Sequence, residues 1–370
     1  MRLDRSDPSL LARWWFTVDR TLIVAVFALV GAGLWFSLTA TPSIAVKRGL
    51  SPFYFFSRQA LFAFAGALIV LWLSFLNPRQ IRRIALVVLI GSLLAMVAVL
   101  FVGPEVNGAR RWLRFAGHSL QPSELAKPAL IVISAWLLAE SERRDDVPAR
   151  PVAIALFLAT VALLLFQPDV GQTLLLTAVW GGMFFVSGLS RRAAIAMLCL
   201  ICIGAVGAYL SFGHVRDRVA KFVSATAGEN YQVERALQAI RQGGLFGRGP
   251  GEGTVKTIIP DAHTDFMFAV IAEEYGIVTC LILVGLVAFL LLRALARALS
   301  AQDSFRRNAI AGLALVFALQ AAINMAVNVG ILPAKGMTLP FISYGGSSIL
   351  GLSLAMGFLI ALARREPTRR

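Results

Sequence analysis

Residues 260–276, PDAHTDFMFAVIAEEYG, carry four carboxylates where a long apolar segment begins: Asp261, Asp265, Glu273 and Glu274. A carboxylate beside a hydroxyl can act as a general base, and ionisable side chains at membrane depth mark candidate functional sites. On one helix at about 100° per residue, Asp265 tops a face of small residues, and the two glutamates lie about 12–14 Å deeper. We therefore predict that Asp265 does chemistry at the membrane edge and that the glutamates pair inside a helical bundle.

A basic and aromatic segment, residues 107–130, precedes another apolar run. Arginine binds phosphate through two parallel hydrogen bonds, but basic residues mixed with aromatic rings are equally typical of a membrane-interface anchor. Further along, Glu124 and Lys127 share one helix face, so they form an ion pair, point together into a polar cavity, or do both. The candidate phosphate-binding side chains are Arg110, Arg111, Arg114 and Lys127.

Three more stretches carry polar or small residues in unusual numbers. Gln320, Asn324 and Asn328 recur every four residues and form a stripe, which either hydrogen-bonds neighbouring helices or lines a substrate groove. The small residues of 339–351 favour close helix packing and leave room for a ligand near the backbone. The glycine-rich residues 243–253 lack a phosphate-loop pattern, so we interpret them as a flexible lid or a linker.

The composition shows what kind of protein holds these groups. Of the 370 residues 58% are hydrophobic and only 15% are charged, with a mean hydropathy of +0.75, which excludes a soluble globular domain. A net charge of +15 would suggest nucleic acid in a soluble protein, but here the arginines lie in short loops, so no nucleic-acid partner is expected. We predict an all-α polytopic membrane protein with about ten transmembrane helices in one bundle, since apolar runs of about 18–22 residues recur. The predicted spans are 21–39, 59–76, 84–102, 123–139, 152–167, 170–189, 193–212, 266–292, 309–332 and 341–363.

Positive charge predicts the orientation. The short segments on the side of both termini carry 20 Lys and Arg residues, against 7 in the short segments on the other side. Because positively charged loops stay in the cytoplasm, both termini are predicted to be cytoplasmic, which puts Asp265 at the outer face. The predicted organisation is a cytoplasmic N-terminal segment over 1–20, a transmembrane domain over 21–363 with one large external loop over 213–265, and a basic cytoplasmic tail over 364–370.

Five motifs follow one another along the chain in a recognisable order. They are GARRW (108–112), QPSELAK (121–127), QPDVGQ (167–172), HTDFMFAVIAEE (263–274) and LPFISYGGSS (339–348). Together they resemble the SEDS family, the shape, elongation, division and sporulation proteins, over about residues 20–365. Within that family, Lys335 and Thr338 before the last span resemble the division members more than the elongation members.

The resemblance implies a glycosyltransferase that polymerises lipid II, a disaccharide-pentapeptide on undecaprenyl diphosphate, into peptidoglycan strands. The reaction would take place at the outer face of the bacterial cytoplasmic membrane, at the division septum. The family's essential aspartate falls on Asp265, its functionally sensitive tryptophan on Trp112, and its S-E-x-A-K positions on Glu124 and Lys127. The predicted substrate-binding residues are Arg110, Arg111, Trp112, Arg114, Glu124, Lys127, Lys335 and Ser343.

The same resemblance implies partners and a cofactor. A divalent cation would help neutralise the diphosphate. The motifs leave open whether it is Mg²⁺ or Mn²⁺, and no organic cofactor is expected. The implied partners are a class B penicillin-binding transpeptidase, FtsI, and the division proteins FtsQ, FtsL and FtsB. The alternatives are an elongation-type polymerase, a scaffold for division proteins, and a lipid II flippase, which needs no catalytic base. The concentration of charged groups in the predicted outer half favours the enzyme over the flippase.

Overall fold

The computed structural model describes residues 9–188 apart from Asn107, Ala116 and Asp145, isolated residues between 199 and 216, residues 229–333, and residues 336–365. The described chain is helical except for two short antiparallel hairpins, β1–β2 and β3–β4, which the sequence analysis did not predict. The helices are α1 (Leu10–Thr17), α2 (Arg20–Ala40), α3 (Pro42–Lys47), α4 (Tyr54–Ser74), α5 (Pro78–Val102), α6 (Pro122–Arg143), α7 (Ala149–Phe166), α8 (Val170–Val186), α9 (Glu229–Gly243), α10 (Met267–Ser300), α11 (Ser304–Asn328) and α12 (Gly346–Leu362). The strands are β1 (Glu105–Val106), β2 (Ala109–Arg110), β3 (Leu113–Phe115) and β4 (His118–Leu120).

Seven of the described helices are long and apolar enough to cross a membrane: α2, α4, α5, α6, α7, α10 and α11. The apolar helices α8 and α12 are slightly shorter. Most of the predicted span 193–212 lies outside the described residues, and the other nine coincide with described helices. The prediction of an all-α polytopic membrane protein is confirmed, whereas the count of ten spans and the cytoplasmic termini stay predictions.

Polar residues at the helix starts explain where several spans begin. The Asp19 carboxylate caps α2 by accepting hydrogen bonds from the backbone amides of Thr21 and Leu22. Asn77 and Gln80 form a reciprocal capping box at the start of α5. The Asp169 carboxylate caps α8 by accepting a hydrogen bond from the backbone amide of Gln172, directly after the tight connection from α7. These caps satisfy amides that the helix leaves without partners and fix the ends of the spans.

The buried centre of the bundle consists of α6, α11 and α12. Around it, α4 and α5 expose large apolar side chains, among them Phe64 and Val87. Such a surface suits lipid rather than water. Small residues allow close packing at the centre, as predicted: a Cβ added at Gly351 on α12 would lie 2.4 Å from the carbonyl oxygen of Glu124 on α6.

Helix α10 is not one continuous span, because the chain reverses direction at Gly276. This residue has φ 81° and ψ 175°, which an L side chain rarely adopts, and an added Cβ would lie 2.2 Å from the carbonyl oxygen of Leu245. The Sγ atom of Cys280 lies 3.9 Å from the carbonyl oxygen of Phe268, although twelve residues of straight helix would span about 18 Å. The first part of α10, residues 267–275, therefore folds back against the second part, residues 277–300, and the prediction of one straight helix is wrong.

Candidate active site

Asp265 lies in a tight turn directly before α10. The turn starts at Asp261, whose φ of 53° is in the left-handed region that Asp tolerates better than most residues. The carbonyl oxygen of Asp261 accepts hydrogen bonds from the backbone amides of Thr264 and Asp265, at 3.0 and 3.1 Å. Helix α10 begins only at Met267, so Asp265 precedes the helix instead of standing on its face as predicted.

Two asparagines of α11 hold this turn in place. Asn324 and Asn328 each donate a hydrogen bond to the backbone carbonyl of Asp265, at 2.8 and 2.9 Å. Asn324 also donates to the carbonyl of Met337 at 2.6 Å, and the side-chain oxygen of Asn328 accepts from the amide of Ala269 at 3.0 Å. Both asparagines are buried, so the polar stripe of α11 fixes the backbone on both sides of Asp265.

The carboxylate of Asp265 is left available for chemistry. It is half-buried, and its Oδ2 atom lies 3.7 Å from where a Cβ at Gly336 would be. In the part of the chain that the structure describes, the carboxylate forms no hydrogen bond or ion pair. Burial, together with the negative charge of Asp261, raises the pKa of Asp265 to about 7. A carboxyl with that pKa is a far better proton acceptor at neutral pH than an ordinary aspartate.

An aromatic cluster packs beside the turn. The rings of His263, Phe55 and Tyr344 contact one another, with centroid distances of 4.3 Å from His263 to Phe55, 5.7 Å from His263 to Tyr344 and 5.1 Å from Phe55 to Tyr344. The His263 carbonyl accepts a hydrogen bond from the Tyr344 amide. Burial and the positive charge of Arg48 lower the pKa of His263 to about 4, so the imidazole is neutral at pH 7. His263 therefore contributes packing and backbone anchoring next to Asp265, not charge.

Glu273 and Glu274 are structural residues, but their depth and their partners differ from the prediction. Because α10 folds back at Gly276, both lie close to the reversal and are not deeper in one straight helix. Glu273 accepts hydrogen bonds from the backbone amides of Thr254, Val255 and Lys256, at 2.7, 2.7 and 2.9 Å. Glu274 forms a buried ion pair with the Lys256 ammonium.

The glycine-rich segment 243–253 is therefore neither a lid nor a plain linker. Its backbone packs directly on the first part of α10: the amides of Arg248 and Gly249 donate to the carbonyls of Glu273 and Glu274, each at 3.0 Å. A Cβ at Gly247 would lie 2.2 Å from the Glu274 carbonyl oxygen. The glycines allow this approach, which lets the two glutamates clamp the segment that leads into the Asp265 turn.

A second polar network lies inside the bundle around Lys127. Its ammonium donates to Glu124 at 2.9 Å, to Gln172 at 2.8 Å and to Gln320 at 3.2 Å, and all four side chains are buried. Gln172 also donates to Glu124 at 2.8 Å. The ion pair expected from the i, i+3 spacing is thus present. All three ammonium hydrogens are directed at internal acceptors, so Lys127 would have to leave this network to contact a phosphate.

The Lys127 network extends toward the segment before α12. Gln320 donates to the Thr338 carbonyl at 3.3 Å and to the Ser348 hydroxyl at 3.4 Å. The hydroxyls of Thr338 and Ser348 lie 2.7 Å apart. Ser343 is buried, and its hydroxyl accepts a hydrogen bond from the Leu339 amide at 2.9 Å. This geometry gives Ser343 a turn-stabilising role, and the substrate contact predicted for it would require the turn to open.

The predicted phosphate-binding arginines have separate environments in the hairpins. Arg111 is partly buried and donates to the carbonyls of Gln167 and Pro168, so it ties the hairpin to the connection between α7 and α8. Arg110 is half exposed, 3.7 Å from Glu105, and Arg114 is exposed. These last two are free enough to reach a ligand.

Trp112 and Lys335 complete the predicted set. Trp112 is half-buried between the two hairpins, with its carbonyl oxygen 3.1 Å from where a Cβ at Gly103 would lie. Lys335 lies outside the described residues. Sequence reasoning named neither Lys256 nor the basic residues of the α2–α4 connection as functional, although both contact the segment that leads to Asp265.

Comparison with known protein families gives one family over nearly the whole chain. A family model described as cell cycle protein, comprising FtsW, RodA and SpoVE, matches residues 20–368. A probable peptidoglycan glycosyltransferase FtsW of Caulobacter vibrioides is 45% identical over 98% of this chain and 93% of its own length. A probable peptidoglycan glycosyltransferase FtsW of Trichlorobacter lovleyi is 35% identical over 93% of each chain.

Solved structures give the same result for the fold. A chain from a study of how a peptidoglycan synthase complex coordinates polymerization and crosslinking superposes with a TM-score of 0.79 at 30% identity, covering 94% of this chain and 98% of that one. The rod shape determining protein RodA of Thermus thermophilus superposes with a TM-score of 0.69 at 30% identity, covering 94% and 97%.

Proposed function

Because the chain belongs to the family of FtsW, RodA and SpoVE cell cycle proteins, we infer that it is a peptidoglycan glycosyltransferase and propose that Asp265 is its general base. The family resemblance drawn from the motifs is confirmed, and so is its division-type character, since both relatives described above are named FtsW. The observation that supports the role of Asp265 is its half-buried carboxylate, which forms no hydrogen bond or ion pair with any described residue and whose pKa is raised to about 7.

The proposed substrate is lipid II, and the chemistry requires one base and one cationic site. The 4-hydroxyl of one N-acetylglucosamine attacks C1 of the N-acetylmuramic acid of a second molecule. Asp265 accepts the hydroxyl proton as the new C–O bond forms and the lipid diphosphate leaves. One carboxylate suffices, because the nucleophile is a sugar hydroxyl and inversion needs no covalent enzyme intermediate. The exposed Arg110 and Arg114 are proposed to bind a diphosphate, and Trp112 to pack beside it.

A divalent cation is proposed to assist at the diphosphate. Within the described ranges, no group of three or more His, Cys, Asp and Glu side chains is arranged to hold a metal ion. Mg²⁺ is commonly bound by one or two carboxylates together with substrate phosphates, so the residues fit a cation that arrives with the diphosphate.

The chain is a multi-pass membrane protein, and its relatives are bacterial. We propose that it acts at the division septum and assembles with a class B penicillin-binding transpeptidase, FtsI, and with FtsQ, FtsL and FtsB. Support for a transpeptidase partner comes from the structural neighbour in a peptidoglycan synthase complex.

The proposed activity is tested with the purified protein and its transpeptidase partner in vesicles that contain labelled lipid II. Glycan polymer on a sizing gel is the expected result. Transfer of lipid II between leaflets with no polymer, under conditions in which a known polymerase is active, would contradict the assignment.

We predict that the polymerisation rate depends on pH through Asp265. The base must be ionised, so the rate should fall about tenfold per pH unit below pH 7 and level off above it. The Asp261→Asn variant removes the negative charge that helps to raise this pKa, so its midpoint should shift to lower pH. Asparagine also tolerates the left-handed backbone at position 261. The measurement is the rate between pH 5.5 and 8.5 for the wild type, Asp261→Asn and the exposed control Glu252→Gln. Only Asp261→Asn should show the shifted midpoint. Equal midpoints in all three proteins would count against Asp265 as the titrating base.

We also predict that Asn324 positions Asp265. The Asn324→Ala variant removes one of the two asparagine donors to the Asp265 carbonyl and the asparagine donor to the Met337 carbonyl. This loss should lower kcat by about 10- to 100-fold, with a smaller change in the lipid II concentration at half-maximal rate. Asn308 provides a matched control, because it is buried on the same helix and its amide forms no hydrogen bond within the described structure. If Asn308→Ala and Asn324→Ala lower the rate equally, the positioning role is wrong.

A further inference from the structure

Three cations lie near the segment that carries Asp265: two in the connection between α2 and α4 and one at the start of α4. Lys47 ends α3, Arg48 follows it, and Arg58 lies in the second turn of α4. The Lys47 ammonium donates to the carbonyl of Thr257 at 2.7 Å, and the Arg48 guanidinium lies 3.5 Å from the Asp261 carboxylate. We call Lys47, Arg48 and Arg58 the basic rim.

Arg58 is held by the aromatic cluster beside the catalytic turn. Its guanidinium lies 4.6 Å from the centre of the Tyr54 ring, and its positive charge interacts with the Tyr344 hydroxyl. The Tyr344 amide in turn donates to the carbonyl of His263, two residues before Asp265, at 2.9 Å. A guanidinium stacked on a ring is oriented in advance, and its remaining N–H groups can bind an anion.

The basic rim has more positive charge than its surroundings neutralise. Of the carboxylates in the described part of the chain, only that of Asp261 lies within ion-pair distance of the rim. The side chains of Arg48 and Asp261 are 45% and 57% exposed, so their contact is open to solvent and easily exchanged for a ligand. Three cations against one carboxylate favour an anion with more than one negative charge.

The chemistry of the proposed reaction calls for two such sites. This step rests on the proposed function: both substrates are lipid-linked sugars, so each carries its own diphosphate. Arg110 and Arg114 of the hairpins can serve one diphosphate, whereas Arg111 is engaged by the α7–α8 connection and Lys127 by its buried network. We propose that the basic rim binds the diphosphate of the second lipid-linked substrate.

The purely structural alternative is that the rim only fastens the turn. That role fits Lys47 and Arg48, which contact residues 257 and 261 directly, but not Arg58, which contacts the aromatic rings. Arg58 is therefore the residue whose substitution separates anion binding from loop fastening.

The test measures binding without turnover. The full-length parent protein carries Arg110→Gln and Arg114→Gln, which remove the other proposed diphosphate site. In zwitterionic phosphatidylcholine nanodiscs it is titrated with farnesyl diphosphate, alone and with Arg58→Gln, Arg58→Lys or Arg241→Gln added. Arg241 is an exposed arginine on α9 at the same end of the bundle. The expected result is binding that weakens about 10- to 100-fold in Arg58→Gln, recovers in part in Arg58→Lys, and is unchanged in Arg241→Gln.

A second arm separates the two sources of phosphate. In nanodiscs in which a quarter of the lipid is phosphatidylglycerol, the affinity for farnesyl diphosphate should stay within about twofold of its value in phosphatidylcholine. Displacement of farnesyl diphosphate by phosphatidylglycerol would mean that the site binds a phospholipid headgroup, and would overturn the proposal. Equal affinity in the parent protein and in the parent with Arg58→Gln, or no measurable binding to the parent protein, would also overturn it. Because no glycosyl transfer is measured, failure here is distinguishable from failure of Asp265 as the base.

Discussion

Replacing Asp265 by asparagine is expected to lower the rate of lipid II polymerisation by about 10²- to 10⁴-fold, the usual contribution of a positioned acid or base. An amide has nearly the same shape but cannot accept the hydroxyl proton. Within the described structure the Asp265 carboxylate makes no internal hydrogen bond, so the variant should fold and insert like the wild type. Its thermal unfolding in detergent and its retention of the transpeptidase partner provide the check on folding.

The matched control is Asp261→Asn, which removes the other aspartate of the same turn. This variant should keep the plateau rate at pH 8. Asp265→Glu keeps the carboxylate but displaces it by one methylene, so a partial rate between those of the wild type and Asp265→Asn is expected. Equal loss in Asp261→Asn and Asp265→Asn would mean that the turn depends on charge as a whole and that neither residue is the base.

The second large effect is structural and concerns Glu273. The Glu273→Gln variant replaces an oxygen that accepts backbone N–H groups with an NH₂ group that faces them, so hydrogen bonds from Thr254, Val255 or Lys256 are lost. Buried charge-assisted bonds of this kind justify an expected destabilisation on the order of 3–5 kcal/mol. The measurement is thermal unfolding in detergent, combined with protease cleavage between residues 243 and 257.

Glu252 is the control for this prediction, because it is an exposed glutamate on the same segment. Glu252→Gln should unfold like the wild type and resist protease equally. If Glu273→Gln also matches the wild type in both measurements, the three short hydrogen bonds do not hold the segment, and the clamp on the Asp265 turn is wrong.

Residue types and spacing predicted the fold class and nearly all the described spans, because apolar run length is a local property of the sequence. Intramembrane charge is local too and led to Asp265, whose role as the base stays a prediction. The reversal at Gly276 was missed for a physical reason. Residues 267–275 and 277–300 are both apolar and helical, so the hydrophobic pattern continues across the break. Only the close approach of Leu245 requires glycine at that position, and this contact comes from a distant part of the chain.

The polar residues of the bundle show the same limit. The spacing of Gln320, Asn324 and Asn328 predicted one shared face and left open what that face contacts. The structure shows that its amides bind backbone carbonyls of loops that are far away in sequence. Likewise, the spacing of Glu124 and Lys127 predicted their pairing, but the acceptors on α8 and α11 that occupy the lysine could not be read from α6 alone.

The most direct test of Asp265 as the general base is the formation of the first glycosidic bond in a single turnover. Wild-type protein and Asp265→Asn, in excess over lipid II in the same vesicles at pH 8, are quenched at intervals, and the lipid-linked tetrasaccharide is quantified by mass spectrometry. We expect rapid tetrasaccharide formation by the wild type and, for Asp265→Asn, a rate at least about 100-fold lower. Tetrasaccharide formed by Asp265→Asn at the wild-type rate would contradict the role of Asp265 as the base.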